Sequence, residues 1–189
     1  MSLRLHTPPT AQPITLAEAK LHLRVDIDDE DLMIISLIDA ATAACEHLMG
    51  RAIMPQKWQV SECSFHPGVI VLQRPTVTGI DSITYVDGNG DTQTLPPSAY
   101  RLIIGSDYTA AVVPAWNAIW PSVSAQVGSV SVIFSCGYED AGSVPGPIKS
   151  WIKLMVGALY KNRELVTDKQ VFTLGMADSL LDRYRVWVM

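Results

Sequence analysis

Two broad apolar stripes at helical spacing, set more than ninety residues apart, constrain this chain more than any other feature. The first is Ile34, Ile38, Ala41, Cys45 and Leu48, with Leu37 beside it; the second is Ile148, Trp151, Ile152, Met155 and Leu159. Residues three and four apart share one face of an α-helix, so each stripe needs a partner that removes it from water. No other segment offers comparable breadth, so the two helices are expected to pack on each other. Everything between them must leave that helical core and return to it.

The flanking residues set the ends of these helices. Thr15 is a good N-cap with Glu18 three residues on, the capping-box spacing, and opens a short helix to about Leu23. Asp28 is placed to cap the second helix, with Asp29, Glu30 and Asp31 in its first turn, where the helix dipole favours negative charge. Gly50 stops it. Residues 1–13, with Pro8, Pro9 and Pro13, read as an extended arm. Pro147 suits the first turn of the later helix, and a loop around Val166–Gly175 leads to a last short helix, Ala177–Val186, with Leu180, Leu181 and Tyr184 as its apolar side.

From Pro55 the period changes to two. Trp58, Val60 and Cys63 alternate with polar residues, Val69–Leu72 and Ile80–Tyr85 continue the pattern, and Asp87-Gly88-Asn89-Gly90 is a hairpin turn with Thr92–Leu95 returning. Tyr100–Ile104, Ala110–Val113 and Val127–Cys136 complete seven or eight short strands, the last with one apolar and one mostly polar face. Pro114–Pro121, carrying Trp116 and Trp120, is too broken for regular structure. The expected fold class is α+β. Terminal helices form a small helical bundle around an inserted antiparallel, sandwich-like β region, divided as 1–54, 55–144 and 145–189.

Composition excludes several classes. Of 189 residues 48% are hydrophobic and 17% charged, which is the balance of a folded chain. No apolar run approaches the roughly 18 residues of a membrane span, and the first residues lack a signal peptide's order, so a cytosolic, soluble protein with no membrane partner is expected. Cys45, Cys63 and Cys136 are odd in number and far apart, which suits reduced core thiols. Up to Ile148 there are 7 basic and 15 acidic residues, a net −8; from Lys149 onward there are 7 and 4, a net +3. That asymmetry fits a basic tail seated on an acidic partner, or cations complementing helix C-termini.

The search for chemistry is negative: no catalytic residue, no cofactor site and no metal site is expected. Asp87–Asp91 begins like a calcium loop, but Thr92 and Ser98 stand where its glycine and bidentate glutamate belong. His6, His22, His47 and His66 lack metal spacing, Gly128-Ser129-Val130-Ser131 is not a nucleophile elbow, and no phosphate loop occurs. Two other readings are carried forward. In one the β region is a ligand-binding module mounted on a helical base, with Trp116 and Trp120 exposed. In the other Asp28–Asp31 grips a metal for hydrolysis, although consecutive helical residues diverge.

One family is similar along nearly the whole chain. The residues that carry the likeness are Ile14-Thr15-Leu16-Ala17-Glu18-Ala19-Lys20, His22-Leu23-Arg24-Val25, Asp28-Asp29-Glu30-Asp31, Gly50-Arg51 and Ile83-Thr84-Tyr85-Val86-Asp87. Gly137-Tyr138, Pro147-Ile148-Lys149, Tyr160, Arg163-Glu164, Leu180-Leu181 and Tyr184-Arg185 extend it. The chain resembles the head–tail connector (adaptor) proteins of long-tailed bacteriophages and prophages, in the branch with an extra β region. The resemblance implies a structural protein of the virion neck, assembled in the host cytoplasm. It implies a ring of about twelve neighbouring copies under the portal protein, a next neck or tail component below, and DNA passing through without sequence-specific binding. It places portal docking on Leu180, Leu181, Arg183, Tyr184 and Arg185, so that removing 177–189 is expected to abolish joining and leave the fold largely intact.

Overall fold

The computed structural model describes residues 2–65, 68–106, 109–124, 126–162 and 175–186. They form two compact units. One comprises residues 1–10 and 55–137; the other comprises residues 11–54 and 138–189.

The helical unit contains α1 (Leu16–Leu23), α2 (Asp31–Met49), α3 (Gly146–Lys161), a single turn α4 (Gly175–Asp178) and a 3₁₀ helix, Ser179–Tyr184. Its core is built from the two stripes: Ile34, Ile38, Ala41, Cys45 and Met49 of α2, with Ile148, Trp151, Ile152 and Val156 of α3. Ile14, Ala19, Ile53, Met54, Val144 and Leu181 complete it. Each stripe drifts at its end. Met49 replaces Leu48, which is 40% exposed, and Val156 is buried where Met155 is only partly so. A 3.6-residue period rotates slowly past a fixed partner, and the last contact falls one residue on. By length and composition α2 could cross a membrane, contrary to the reading of the sequence, but its apolar stripe is spent on this core.

The Thr15–Glu18 capping box forms in both directions, with Glu18 N donating to Thr15 Oγ1 at 3.1 Å and Thr15 N to Glu18 Oε2 at 2.8 Å. Asp28 does not cap α2. The N-cap position is Glu30, with no side-chain cap, and the Asp28 carboxylate turns to the Lys20 ammonium 2.6 Å away. Gly50 ends α2 in the left-handed region at φ 66°.

The β unit holds two antiparallel sheets. In the larger, β1 (Ser2–Thr7), β2 (Gln56–Glu62), β8 (Val130–Cys136), β4 (Val77–Val86) and β5 (Thr92–Thr94) lie in the order β1-β2-β8-β4-β5. The smaller joins β3 (Ile70–Leu72), β7 (Thr109–Pro114) and β6 (Tyr100–Ser106) in the order β3-β7-β6. Each sheet buries one face. Val130, Val132, Phe134 and Cys136 of β8 point inward with Val60 and Ile83, and Ala110 and Val112 of β7 with Ile70 and Leu72. The fold class is therefore α+β. Residues 2–7 are not a free arm, because β1 pairs with β2 from Ser2↔Ser61 to Thr7↔Lys57. The prolines that suggested an arm follow that strand and end it. At the other junction, Tyr138–Val144 goes with the helices, since Tyr138 N donates to Ile53 O at 2.8 Å and Val144 is a core residue.

Candidate functional site

The segment expected to dock on a partner is strapped to the helical unit. Trp151 Nε1 donates to Asp178 Oδ1 at 2.9 Å, Arg51 Nε donates to the Tyr184 carbonyl at 3.2 Å, and Val186 N donates to the Met49 carbonyl at 2.8 Å. Val186 also lies beside Gly50, where an added Cβ would sit 3.6 Å from its own Cβ.

The expected α-helix over 177–186 is instead one α turn followed by 3₁₀ structure, and that changes which side chains face outward. With three residues per turn, Leu181 and Tyr184 fall on one row and Leu180 and Arg183 on the next. Leu181 is fully buried in the helical core, and Tyr184 packs partly against it. Leu180 is 37% exposed and Arg183 is exposed. Arg185 is half-buried, its Nε 3.5 Å from Asp182 Oδ1. Leu181 therefore anchors the segment in the helical core, and of the five residues expected to dock it is the one the fold buries. The outward row is Leu180 and Arg183. The sequence signal that separates the rows is the short run itself, since a helix closing within about two turns often tightens to 3₁₀. Arg163-Glu164 and most of the expected loop Val166–Gly175 lie outside the described residues.

The acidic joint between α1 and α2 is internally satisfied. Lys20 Nζ lies 2.6 Å from Asp28 Oδ1 and 2.7 Å from Asp31 Oδ1. Those carboxylates raise the Lys20 pKa, and hydrogen bonding to Lys20 lowers that of Asp28. Glu30 accepts from the Tyr160 hydroxyl, and Lys153 reaches Glu18 at 3.3 Å. An ammonium thus occupies the position between two carboxylates that the hydrolase reading gave to a metal. Among the described residues, no group of three or more His, Cys, Asp or Glu side chains is placed to hold a metal ion. The Asp87 loop is an Asx turn: Asp87 Oδ1 accepts from Asn89 N at 2.9 Å and Asp91 N at 3.1 Å.

The two tryptophans of the 114–121 stretch do different things. Trp120 stacks on Phe65, centroids 4.6 Å apart and planes 5° apart, and Phe65 meets Tyr85 edge-on at 5.8 Å. Trp116 is 85% exposed. They do not form one aromatic platform, which removes the sequence-level motive for a ligand-binding module.

Comparison with known proteins gives the family. The pattern of the phage gp6-like head-tail connector protein family matches residues 13–110, more than half of the chain. The chain belongs to the phage head–tail connector family. This connector is also similar in fold to chains from three solved assemblies. The neck of an empty gene transfer agent particle, computed with C6 symmetry, gives a TM-score of 0.80 at 20% identity. The virion of the native gene transfer agent particle gives 0.81 at 20%, and the neck of the native particle, computed with C12 symmetry, gives 0.78 at 23%. In all three the match covers 100% of the connector and 97% of the other chain. None of the curated proteins compared matches it. The family is a structural one, and the ligand-binding alternative gains no support from these likenesses.

Proposed function

We propose that this connector assembles as a ring beneath the portal of a filled capsid, extends the DNA channel and offers a platform to the next neck or tail component. It performs no catalysis, and it assembles in the host cytoplasm before residing in the virion neck. The observation that carries the reading is the family match over 13–110, reinforced by end-to-end similarity in fold to chains of symmetric neck assemblies. The charge distribution is compatible with it. A net charge of −5 disfavours persistent phosphate contacts, so DNA would slide past the wall without being held.

Portal docking is assigned to the outward row of the 3₁₀ helix, Leu180 and Arg183, with Tyr184 and Arg185 at its border. An apolar side chain beside the exposed Arg183 suits a portal surface that is apolar with an acidic rim. Removing 177–189 is a poor test, because it would also strip Leu181 from the core and leave Trp151 Nε1 without Asp178. The informative variant is Leu180→Ser with Arg183→Glu, mixed with cognate portal and imaged by electron microscopy. Rings on the portal are expected with the unaltered protein and a clear loss with the variant. Full occupancy by the variant would move docking elsewhere, and no ring from the unaltered protein would refute the connector-ring reading.

A further inference from the structure

The connector carries two exposed apolar surfaces in its β unit that its own fold leaves uncovered. One is the loop after β7. Ala115 N donates to the Ala99 carbonyl and Ala118 N to the Ala115 carbonyl, both at 2.9 Å, closing a tight turn with Asn117 at φ 60°. The left-handed third position suits asparagine and puts Trp116 at the turn's second position, pointing out. Behind it the Trp120–Phe65–Tyr85 stack holds the loop to β4. Trp116, Ile119 and Val127 are 85%, 90% and 93% exposed, and no charged residue occurs from Pro114 to Cys136. An indole held in water on a braced, uncharged loop is an interaction surface.

The other surface is the outer face of the three-stranded sheet. Val71, Ala111 and Ile103 stand directly across from one another on β3, β7 and β6, and Val113 follows two residues along β7. Val69, Val71 and Ile103 are 43%, 56% and 43% exposed. Arg101, exposed and opposite Val113, gives this apolar face a cation at its rim, suited to the face of an indole.

We propose that Trp116 of one copy seats on the Val71–Ile103 sheet face of the next copy, as the head-to-tail contact of the ring. The inference rests on the ring reading above. A closed ring needs a heterologous interface, two different complementary surfaces on one chain, and the β unit supplies a projecting apolar turn and a flat apolar face. Among the described residues neither surface carries a carboxylate, and the Arg101 cation at the rim meets the indole face rather than an opposing cation. Trp116 cannot cover its own sheet, since it is almost wholly exposed. Burying one aromatic and two aliphatic side chains removes a few hundred Å² per partner, well under the roughly 800 Å² per side of a stable pair. Copies therefore stay apart alone and close only on a template, where each gains a contact on both flanks.

The test places the photo-crosslinker benzoylphenylalanine at position 116, in necks assembled on portal-bearing heads from a mixture of light and isotope-labelled protein. Crosslinks between 116 and residues 68–75 or 100–114 of a different copy are expected, seen as mixed-isotope peptides. Crosslinks to the same copy, to portal, to another neck protein or to nothing overturn the proposal. In parallel, Trp116→Ser is expected to melt like the unaltered protein and to lower ring occupancy about tenfold or more, the loss of one anchoring aromatic. Normal occupancy with Trp116→Ser also overturns it, and leaves the ring reading standing. Absence of rings with the unaltered protein sinks both.

Discussion

Thr15 and Glu18 show how single residues fix the start of the helical unit. Each side chain takes the other's backbone donor, and Lys153 of α3 joins the Glu18 carboxylate. Thr15→Ala is expected to cost about 1 kcal/mol in urea unfolding, the usual penalty for a lost N-cap. The Thr15 backbone donor first, and then Lys153, holds the Glu18 carboxyl below its ordinary 4.5. A carboxyl depressed in the folded state contributes stability above its unfolded pKa and loses it as pH falls through the folded one. Glu18→Gln is therefore expected to lower the urea midpoint at pH 7 and to bring the variant closer to the unaltered protein by pH 3.5. The thiols give an independent check. Cys45 is buried, and burial pushes its pKa up to about 12, whereas Cys63 is exposed. An aromatic disulfide reagent should titrate one thiol quickly in the folded protein, and Cys45 and Cys136 only after denaturation. Fast reaction of Cys45 would mean that the α2–α3 seam opens readily, and fast reaction of Cys136 that the core of the β unit does.

Among the elements, those with long periodic stripes were legible in the sequence and those decided by a few bonds were not. The positions of α2 and α3 follow from apolar residues three and four apart, and β8 from strict alternation, because burial on one face leaves little choice of period. Asp28 leaves the cap of α2 because Lys20, eight residues earlier, draws its carboxylate through space. The 3₁₀ form of Ser179–Tyr184 was hidden for a similar reason, since a six-residue run fits either period and its carbonyl and amide partners on Arg51 and Met49 decide. That difference makes a sharp prediction. Leu181→Ala should destabilise the protein by about 2–4 kcal/mol, as for a buried leucine in a closed core. Leu180→Ala, one residue away, should cost under about 1 kcal/mol, being a partly exposed surface change. Equal costs for both would show that the last turn is α-helical and rotated relative to the structure. The exposed Trp116 was legible only as a residue in broken context, because its display depends on a turn and a stack that bring Phe65 and Tyr85 together from distant parts of the sequence.

At the scale of the whole molecule, the chain solves an insertion problem at a single point. The helical unit is discontinuous in sequence, yet its two pieces meet where the chain departs for the β unit and returns, the Tyr138 amide donating to the Ile53 carbonyl at 2.8 Å. Met54 and Tyr138 are thus close enough for a few residues to join, and closing so short a loop costs little entropy. Among the described residues, the helical core is built from its own unit: the α2 and α3 stripes, Ile14, Ala19, Ile53, Met54, Val144 and Leu181. Removing residues 1–10 and replacing 55–137 by a short Gly-Ser linker is therefore expected to yield a folded, largely helical protein with a cooperative melt and a buried Trp151. Far-ultraviolet circular dichroism, and tryptophan emission once Trp187→Phe leaves Trp151 as the sole tryptophan, would read this. The same variant separates the tasks assigned to the two units, because it keeps Leu180 and Arg183 for the portal and lacks both surfaces of the Trp116 contact. It should bind portal weakly, copy by copy, without the steep cooperativity of ring closure, since only the lateral term has been removed. A graded, non-cooperative isotherm beside a steep one for the full chain is the expected pair of curves. Identical steepness would place the lateral contacts in the helices.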